Sequence, residues 1–113
     1  MSTNLGRRQP DFVEQIAIAV ADSPYAPTAL HSVQLLVDTS GGAVTINFPA
    51  ISALNHRQRI EVVDEAESFE AYPATPIPNG SDTIEGDSSA ELNLNGIAVT
   101  FEANNRTKDW KIV

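Results

Sequence analysis

The strongest constraint on the fold is an alternation of apolar and polar residues with a period of two, broken by frequent turn residues. The segment LLVDTSGGAVTINFPA, residues 35–50, shows it clearly, because apolar residues alternate on both sides of DTSGG. Paired glycines supply the positive φ angles that a tight turn needs. The pattern predicts a β-hairpin whose turn contains Asp38, Gly41 and Gly42 and sets the register of its two strands.

A second segment, ELNLNGIAVTFEA, predicts another hairpin with its turn at Asn95 and Gly96. Alternating residues predict further strands at 12–21, at 59–64, near Ile84 before a turn at Gly86, and at 109–113. About eight short strands without a helical pattern are typical of an all-β protein. We therefore predict a single antiparallel β-sandwich or a barrel-like, jelly-roll-like domain.

The length of 113 residues predicts one domain, because half of this chain would bury too small a core. Residues 1–10 are polar and show no period, which predicts an extended N-terminal arm. We divide the chain into residues 1–32, an arm and first strand suited to docking or swapping, and residues 33–113, the β module. A core of this size favours association with a partner subunit.

Composition excludes several classes of function. The chain has no cysteine, so a thiolate metal site is excluded, and its apolar runs are shorter than a membrane span. The first residues lack the apolar segment of a signal peptide, so we expect a protein made in the cytoplasm with no membrane partner. The net charge is −8, and residues 61–91 contain no lysine or arginine. Nucleic acid is therefore an unsuitable partner, and Arg7 and Arg8 stand out as an exception.

Catalytic and metal-binding patterns are absent from the sequence. The two histidines, His31 and His56, show no spacing typical of a triad or a metal site, and no serine lies in a Gly-x-Ser-x-Gly elbow. The oxygen-rich segment from Asn79 to Asp87 lacks the alternating order of a calcium loop. We expect no enzyme activity, no metal and no cofactor.

Four short segments, LVDTSGGAVTINFPA, IEVVD, DTIEG and WKI, together resemble a small β module of tailed-bacteriophage virion proteins. That module occurs in capsid decoration (cement) proteins and in tail-fibre or tail-appendage chains. The resemblance covers residues 33–113 and departs at residues 55–73, which are acidic and lack glycine. The matching positions include Asp38, Gly41, Gly42, Asp64, Gly86 and Trp110, which are turn and core residues and report a fold rather than a chemistry.

The resemblance implies a virion structural protein without enzymatic activity, assembled as a homotrimer on the capsid surface and bound to the major capsid protein. The first third of the chain is then free to dock: Arg7 and Arg8 would pair with acidic capsid residues, and Phe12 and Ile16 would bury apolar area. A tail-fibre tip or adaptor that binds host glycans is the alternative. A small enzyme is a third, and it requires a cleft that joins His31 or His56 to carboxylates.

Overall fold

The computed structural model describes residues 14–54 and 57–113, and these residues form an all-β unit of eight strands with two single-turn 3-10 helices. The prediction of about eight short strands and almost no helix is confirmed, and the predicted strand at 59–64 coincides with the observed one. The strands are β1 Glu14–Ala19, β2 Val33–Asp38, β3 Val44–Asn47, β4 Arg59–Asp64, β5 Ala74–Ile77, β6 Thr83–Ile84, β7 Ala98–Asn104 and β8 Asp109–Ile112; the 3-10 helices are Val20–Asp22 and Ile51–Ala53.

The strands form one sheet of six, in the order β1-β2-β4-β7-β8-β6, and one sheet of two, β3-β5. The pairs β1–β2, β2–β4, β3–β5 and β6–β8 are parallel, and β4–β7 and β7–β8 are antiparallel. The predicted antiparallel fold is therefore wrong for most pairs. Parallel neighbours need a crossover connection, and here the chain passes through the small sheet between β2 and β4.

The first predicted hairpin does not form, because β2 and β3 belong to different sheets. Both edges of β2 are occupied, by β1 on one side and β4 on the other, so no edge remains for β3. The segment between them turns the chain from one sheet to the other. Its Asp38 carboxylate accepts hydrogen bonds from the backbone N–H and the hydroxyl of Ser40, at 2.8 and 2.6 Å. Thr39 is fully buried in this turn.

The second predicted hairpin is also absent. Leu92 pairs instead with Ala74 at the start of β5, through two backbone hydrogen bonds of 2.8 and 3.1 Å. Strand β7, which follows the turn at Asn95 and Gly96, has both edges occupied by β4 and β8. The Asn-Gly turn is present, but it connects the two sheets rather than two neighbouring strands.

A single apolar core joins the two sheets. The inward-facing residues of β2 and β3, among them Leu35, Val37 and Ile46, are fully buried. Phe48, just after β3, packs edge-on against Phe101 of β7 and Trp110 of β8, with ring centroids 5.3 and 4.9 Å apart. Edge-on pairs are a favoured arrangement of aromatic rings. This aromatic cluster ties the small sheet to the centre of the large one.

Replacing Gly42 by alanine is expected to lower the free energy of unfolding by about 1–2 kcal/mol, because side chains are strained at positive φ. Gly42 has φ +151°, and a Cβ there would lie 3.1 Å from a methyl carbon of Val20. Urea unfolding, followed by Trp110 fluorescence, measures the loss. Gly41→Ala is the matched control, since Gly41 has no positive φ. Equal losses at both positions would contradict the role of Gly42.

Candidate functional site

The predicted contact residues are only partly covered by the structure. Arg7, Arg8 and Phe12 lie outside the described residues. Ile16 lies on β1, where it is half-buried and packs against the core, and β1 pairs along its whole length with β2 of the same chain. Ile16 and the rest of β1 are therefore part of the six-stranded sheet. Docking through Arg7, Arg8 and Phe12 stays a prediction.

Asp64, one of the predicted signature residues, organises two loops at the end of β4. Its buried carboxylate accepts backbone N–H bonds from Ser68 at 3.0 Å, Phe69 at 3.1 Å and Gly96 at 3.0 Å. The side-chain oxygen of Asn95 accepts the N–H of Glu70 at 2.9 Å. The Asn-Gly turn is thus fixed onto the loop of residues 65–73. Asp64 serves the fold, because all of these partners are backbone donors.

Asp109 performs a similar task at the start of β8, beside Trp110. Burial acts to raise the pKa of Asp109, but the Thr83 hydroxyl, the Gly86 N–H and the Lys111 ammonium together hold it below its ordinary value. The Thr83 and Gly86 donors lie 2.5 and 2.9 Å from one carboxylate oxygen. Gly86, at φ +86°, is the turn glycine that makes this contact. The carboxylate therefore fixes β6 and its turn against β8.

The variant Asp109→Asn is expected to be less stable than wild type at neutral pH, with a difference that shrinks as the pH falls below about 4. A carboxylate whose pKa is lowered by folding stabilises the protein above its unfolded value of 3.8, and that stabilisation is lost as pH falls through the folded value. Urea midpoints between pH 3 and pH 7 check this. The exposed Asp87→Asn is the control, and a constant difference at all pH values would contradict the assignment.

The histidine and carboxylate side chains that could act in catalysis or bind a metal do not form a common site. The imidazole of His31 lies 2.9 Å from the Glu14 carboxylate in an exposed pair, and His56 lies outside the described residues. In the oxygen-rich segment, Asp82 accepts the N–H of Ile51, whereas Glu85 accepts that of Ile112. Within residues 14–54 and 57–113, no group of three or more histidine, aspartate or glutamate side chains is placed to hold a metal ion.

A cluster of positive charge is the most distinctive surface feature. Because β4 and β7 are antiparallel, the start of β4 lies beside the end of β7, and Arg59 is directly opposite Glu102. All five lysine and arginine residues in the described part of the chain lie in this region. We call them the basic cluster: Arg57, Arg59, Arg106, Lys108 and Lys111. Arg57, Arg106 and Lys111 line one open depression with a volume of about 490 Å³.

Glu102 lies within the basic cluster and is neutralised by it. Its two carboxylate oxygens accept hydrogen bonds from Arg57 at 2.8 Å and Arg59 at 2.9 Å. Burial acts to raise the pKa of Glu102, but the two guanidinium groups hold it below its ordinary value. Arg106 and Lys108 lie in the exposed turn after β7, where Lys108 donates to the Asn105 carbonyl at 2.8 Å. The Lys111 ammonium lies 3.4 Å from the Glu85 carboxylate and 3.6 Å from that of Asp109. Among the described residues, the positive charges of the cluster without an acidic partner are therefore those of Arg106 and Lys108.

The opposite end of β4 is acidic. Exposed side chains of Glu65, Glu67 and Glu70 lie in the loop of residues 65–73 between β4 and β5, which we call the acidic loop. Six residues of extended strand separate the two ends, a distance of about 20 Å. Tyr72, in the acidic loop, and Leu94, beside it, are exposed, with 46% and 58% of their surface accessible. All lysines and arginines of the described residues thus lie at one end of β4, together with the carboxylates of Glu85, Glu102 and Asp109, and the acidic loop lies at the other end.

Sequence reasoning missed the basic cluster. Its residues fall in two separate segments, 57–59 and 106–111, and each looks like an ordinary polar turn. The antiparallel pairing of β4 with β7 brings the two segments together. The cluster could be predicted only from that pairing, which the sequence pattern does not indicate.

Membrane-spanning helices and similarity to known proteins are two further features that could identify the chain. Within the described part of the chain, no helix has the length and apolar character needed to span a membrane. A scan of the sequence against models of known protein families finds no match, and no curated protein is significantly similar to it.

Proposed function

We propose that the protein is a non-enzymatic structural component of a tailed-phage virion, a decoration or cement protein that binds the assembled head and stabilises it. The support for this proposal is a sequence motif that resembles one in virion modules. Its residues Asp38, Asp64, Gly86 and Trp110 are the turn and core positions on which this all-β unit depends. A protein that binds only the assembled shell lowers the free energy of that shell by mass action.

We further propose that the protein has a β-sandwich architecture and assembles as a trimer. The two sheets share one core, which supports a β-sandwich, and the protein is proposed to form a homotrimer on the capsid surface with the major capsid protein as its partner. In this proposal the N-terminal segment docks on a capsid subunit or a neighbouring protomer, with Arg7 and Arg8 paired to acidic capsid side chains and with Phe12 and the half-buried Ile16 contributing apolar area.

A tail-fibre or appendage role with glycan binding has less support. Sugar-binding surfaces commonly use exposed aromatic rings that stack on the ligand. Trp110 is fully buried, Tyr25 is half-buried against the core, and Tyr72 is exposed. The described residues therefore do not present a cluster of exposed rings, so the decoration role is preferred.

The proposal is tested by adding the purified full-length chain to shells of the phage that encodes it. Labelled protein is expected on the heads by electron microscopy, and Arg7→Ala/Arg8→Ala/Phe12→Ala is expected to abolish binding. Ser2→Ala/Thr3→Ala/Asn4→Ala is the matched control in the same segment. Wild-type label found only on tails would contradict the decoration role, and unchanged occupancy by the first variant would contradict the docking segment.

A further inference from the structure

The separation of charge along β4 has a consequence that does not depend on a virion role. The basic cluster and the acidic loop lie at opposite ends of the same strand, so one molecule cannot bring them into contact. Two molecules in a head-to-tail arrangement can. We propose that the basic cluster of one copy binds the acidic loop of a second copy of this chain.

The side chains needed for such a contact are accessible. Arg57 exposes 75% of its side chain, and Arg106 and Lys108 are exposed in the turn after β7. Glu65 and Glu67 are exposed on the acidic loop, and Glu65 forms a described hydrogen bond only through its backbone N–H, to the Val37 carbonyl. Within residues 14–54 and 57–113 the carboxylates of the acidic loop have no lysine or arginine partner. A second copy supplies the missing cations.

Exposed apolar surface at the acidic loop could contribute binding energy that ion pairs alone do not supply. Ion pairs at exposed positions are individually weak, each contributing little net stabilisation. Leu94 and Tyr72 present apolar area next to the carboxylates, and Leu94 precedes Asn95, which is hydrogen-bonded to Glu70 of the loop. Charges surrounding an apolar contact steer association and fix its orientation, whereas the apolar contact supplies affinity. The acidic end has both components of a binding surface.

The proposed binding partner is a second copy of the chain, because the chain carries both complementary surfaces. The chain as a whole has a net charge of −8, so two copies repel each other unless the basic cluster meets an acidic region. A contact between two different surfaces is heterologous, and it leaves one free basic cluster and one free acidic loop in each dimer. Association can therefore continue beyond two copies.

Charge reversal at each end separately tests the proposal in the full chain. One variant, Arg106→Glu/Lys108→Glu, makes the basic cluster acidic, and the other, Glu65→Lys/Glu67→Lys, makes the acidic loop basic. Each variant alone is expected to associate about tenfold more weakly than wild type, and an equal mixture is expected to recover the association. Sedimentation velocity at salt concentrations of about 0.02 M and about 0.5 M measures mass, and the higher salt is expected to weaken wild-type association.

The matched control is Glu14→Lys/Asp87→Lys, which makes the same change in net charge at exposed positions outside the acidic loop. This control is expected to associate at least as strongly as wild type. Monomeric wild-type protein at both salt concentrations would overturn the proposal, as would a mixture of the two reversed variants that stays monomeric. Loss of shell binding in the Arg106 variant, with wild type monomeric throughout, would assign the basic cluster to the capsid instead. Failure here leaves the decoration role intact, because that role is measured by occupancy of heads.

Discussion

Replacing Asp64 by alanine is expected to lower the free energy of unfolding by about 4 kcal/mol, because it leaves three backbone N–H groups without their acceptor. Those donors belong to Ser68, Phe69 and Gly96, and the residue that accepts all three bonds, Asp64, is 4% exposed. Each buried donor that loses its partner costs about 1–3 kcal/mol, and water entry limits the sum. Urea unfolding monitored by Trp110 fluorescence measures the effect.

Two companion variants make the Asp64 result interpretable. Asp64→Asn keeps one acceptor oxygen but turns an amide donor toward a backbone N–H, so we expect an intermediate loss of about 2 kcal/mol. Glu65→Gln changes the neighbouring exposed carboxylate, and we expect less than about 0.5 kcal/mol. A loss at Glu65 that equals the loss at Asp64 would mean that general acidity of the loop, rather than the three hydrogen bonds, stabilises the fold.

Phe48→Ala is expected to destabilise the protein by about 4 kcal/mol, since it removes a buried ring and leaves a cavity. Phe48 is 2% exposed and contacts both Phe101 and Trp110 edge-on, so the cavity would open between the two sheets. Because the wild-type stability of a domain is about 5–15 kcal/mol, a loss of this size brings the protein close to unfolding at physiological temperature. Thermal unfolding by circular dichroism gives the change in Tm.

The matched variant for Phe48 is Phe48→Leu, which keeps most of the buried volume and is expected to cost about 1–2 kcal/mol. If the variant Phe48→Ala does not fold, the leucine variant still measures the contribution of the ring. Equal stability of wild type and the leucine variant would show that the aromatic contacts add nothing beyond volume.

The positions of several strands were predictable because they depend on local alternation, whereas the strand predicted at Leu92 and Leu94 forms only an isolated bridge at Leu92. The strand at residues 59–64 and the start of β8 at Asp109 coincide with their predicted limits. The pairing was not predictable in this way, because it depends on which edges other strands already occupy. Gln34 and Glu61, hydrogen-bonded neighbours on β2 and β4, are 27 residues apart. The turn residues at 38–42 suit a passage between sheets as well as a hairpin, and local rules do not distinguish the two.

The candidate site was less predictable than the strands. Asp64 and Gly86 were identified as signature positions, but their hydrogen bonds to Gly96 and Asp109 depend on tertiary structure. Charge counting along the chain detected the acidic segment correctly. It gave no indication of the basic cluster, because Arg57 and Arg106 come together only when β4 pairs with β7.

The order of the strands along the chain determines which strand edges are unpaired while the protein is being synthesised. Strand β2 pairs with β4, β4 with β7 and β7 with β8, so each completed pair exposes an edge that waits for a later segment. At about 5–20 residues per second, the interval between β4 and β8 lasts several seconds. Throughout that interval the nascent chain carries an unpaired strand edge and an incomplete apolar core without Trp110. Slow translation or premature termination is therefore expected to favour aggregation through this exposed edge.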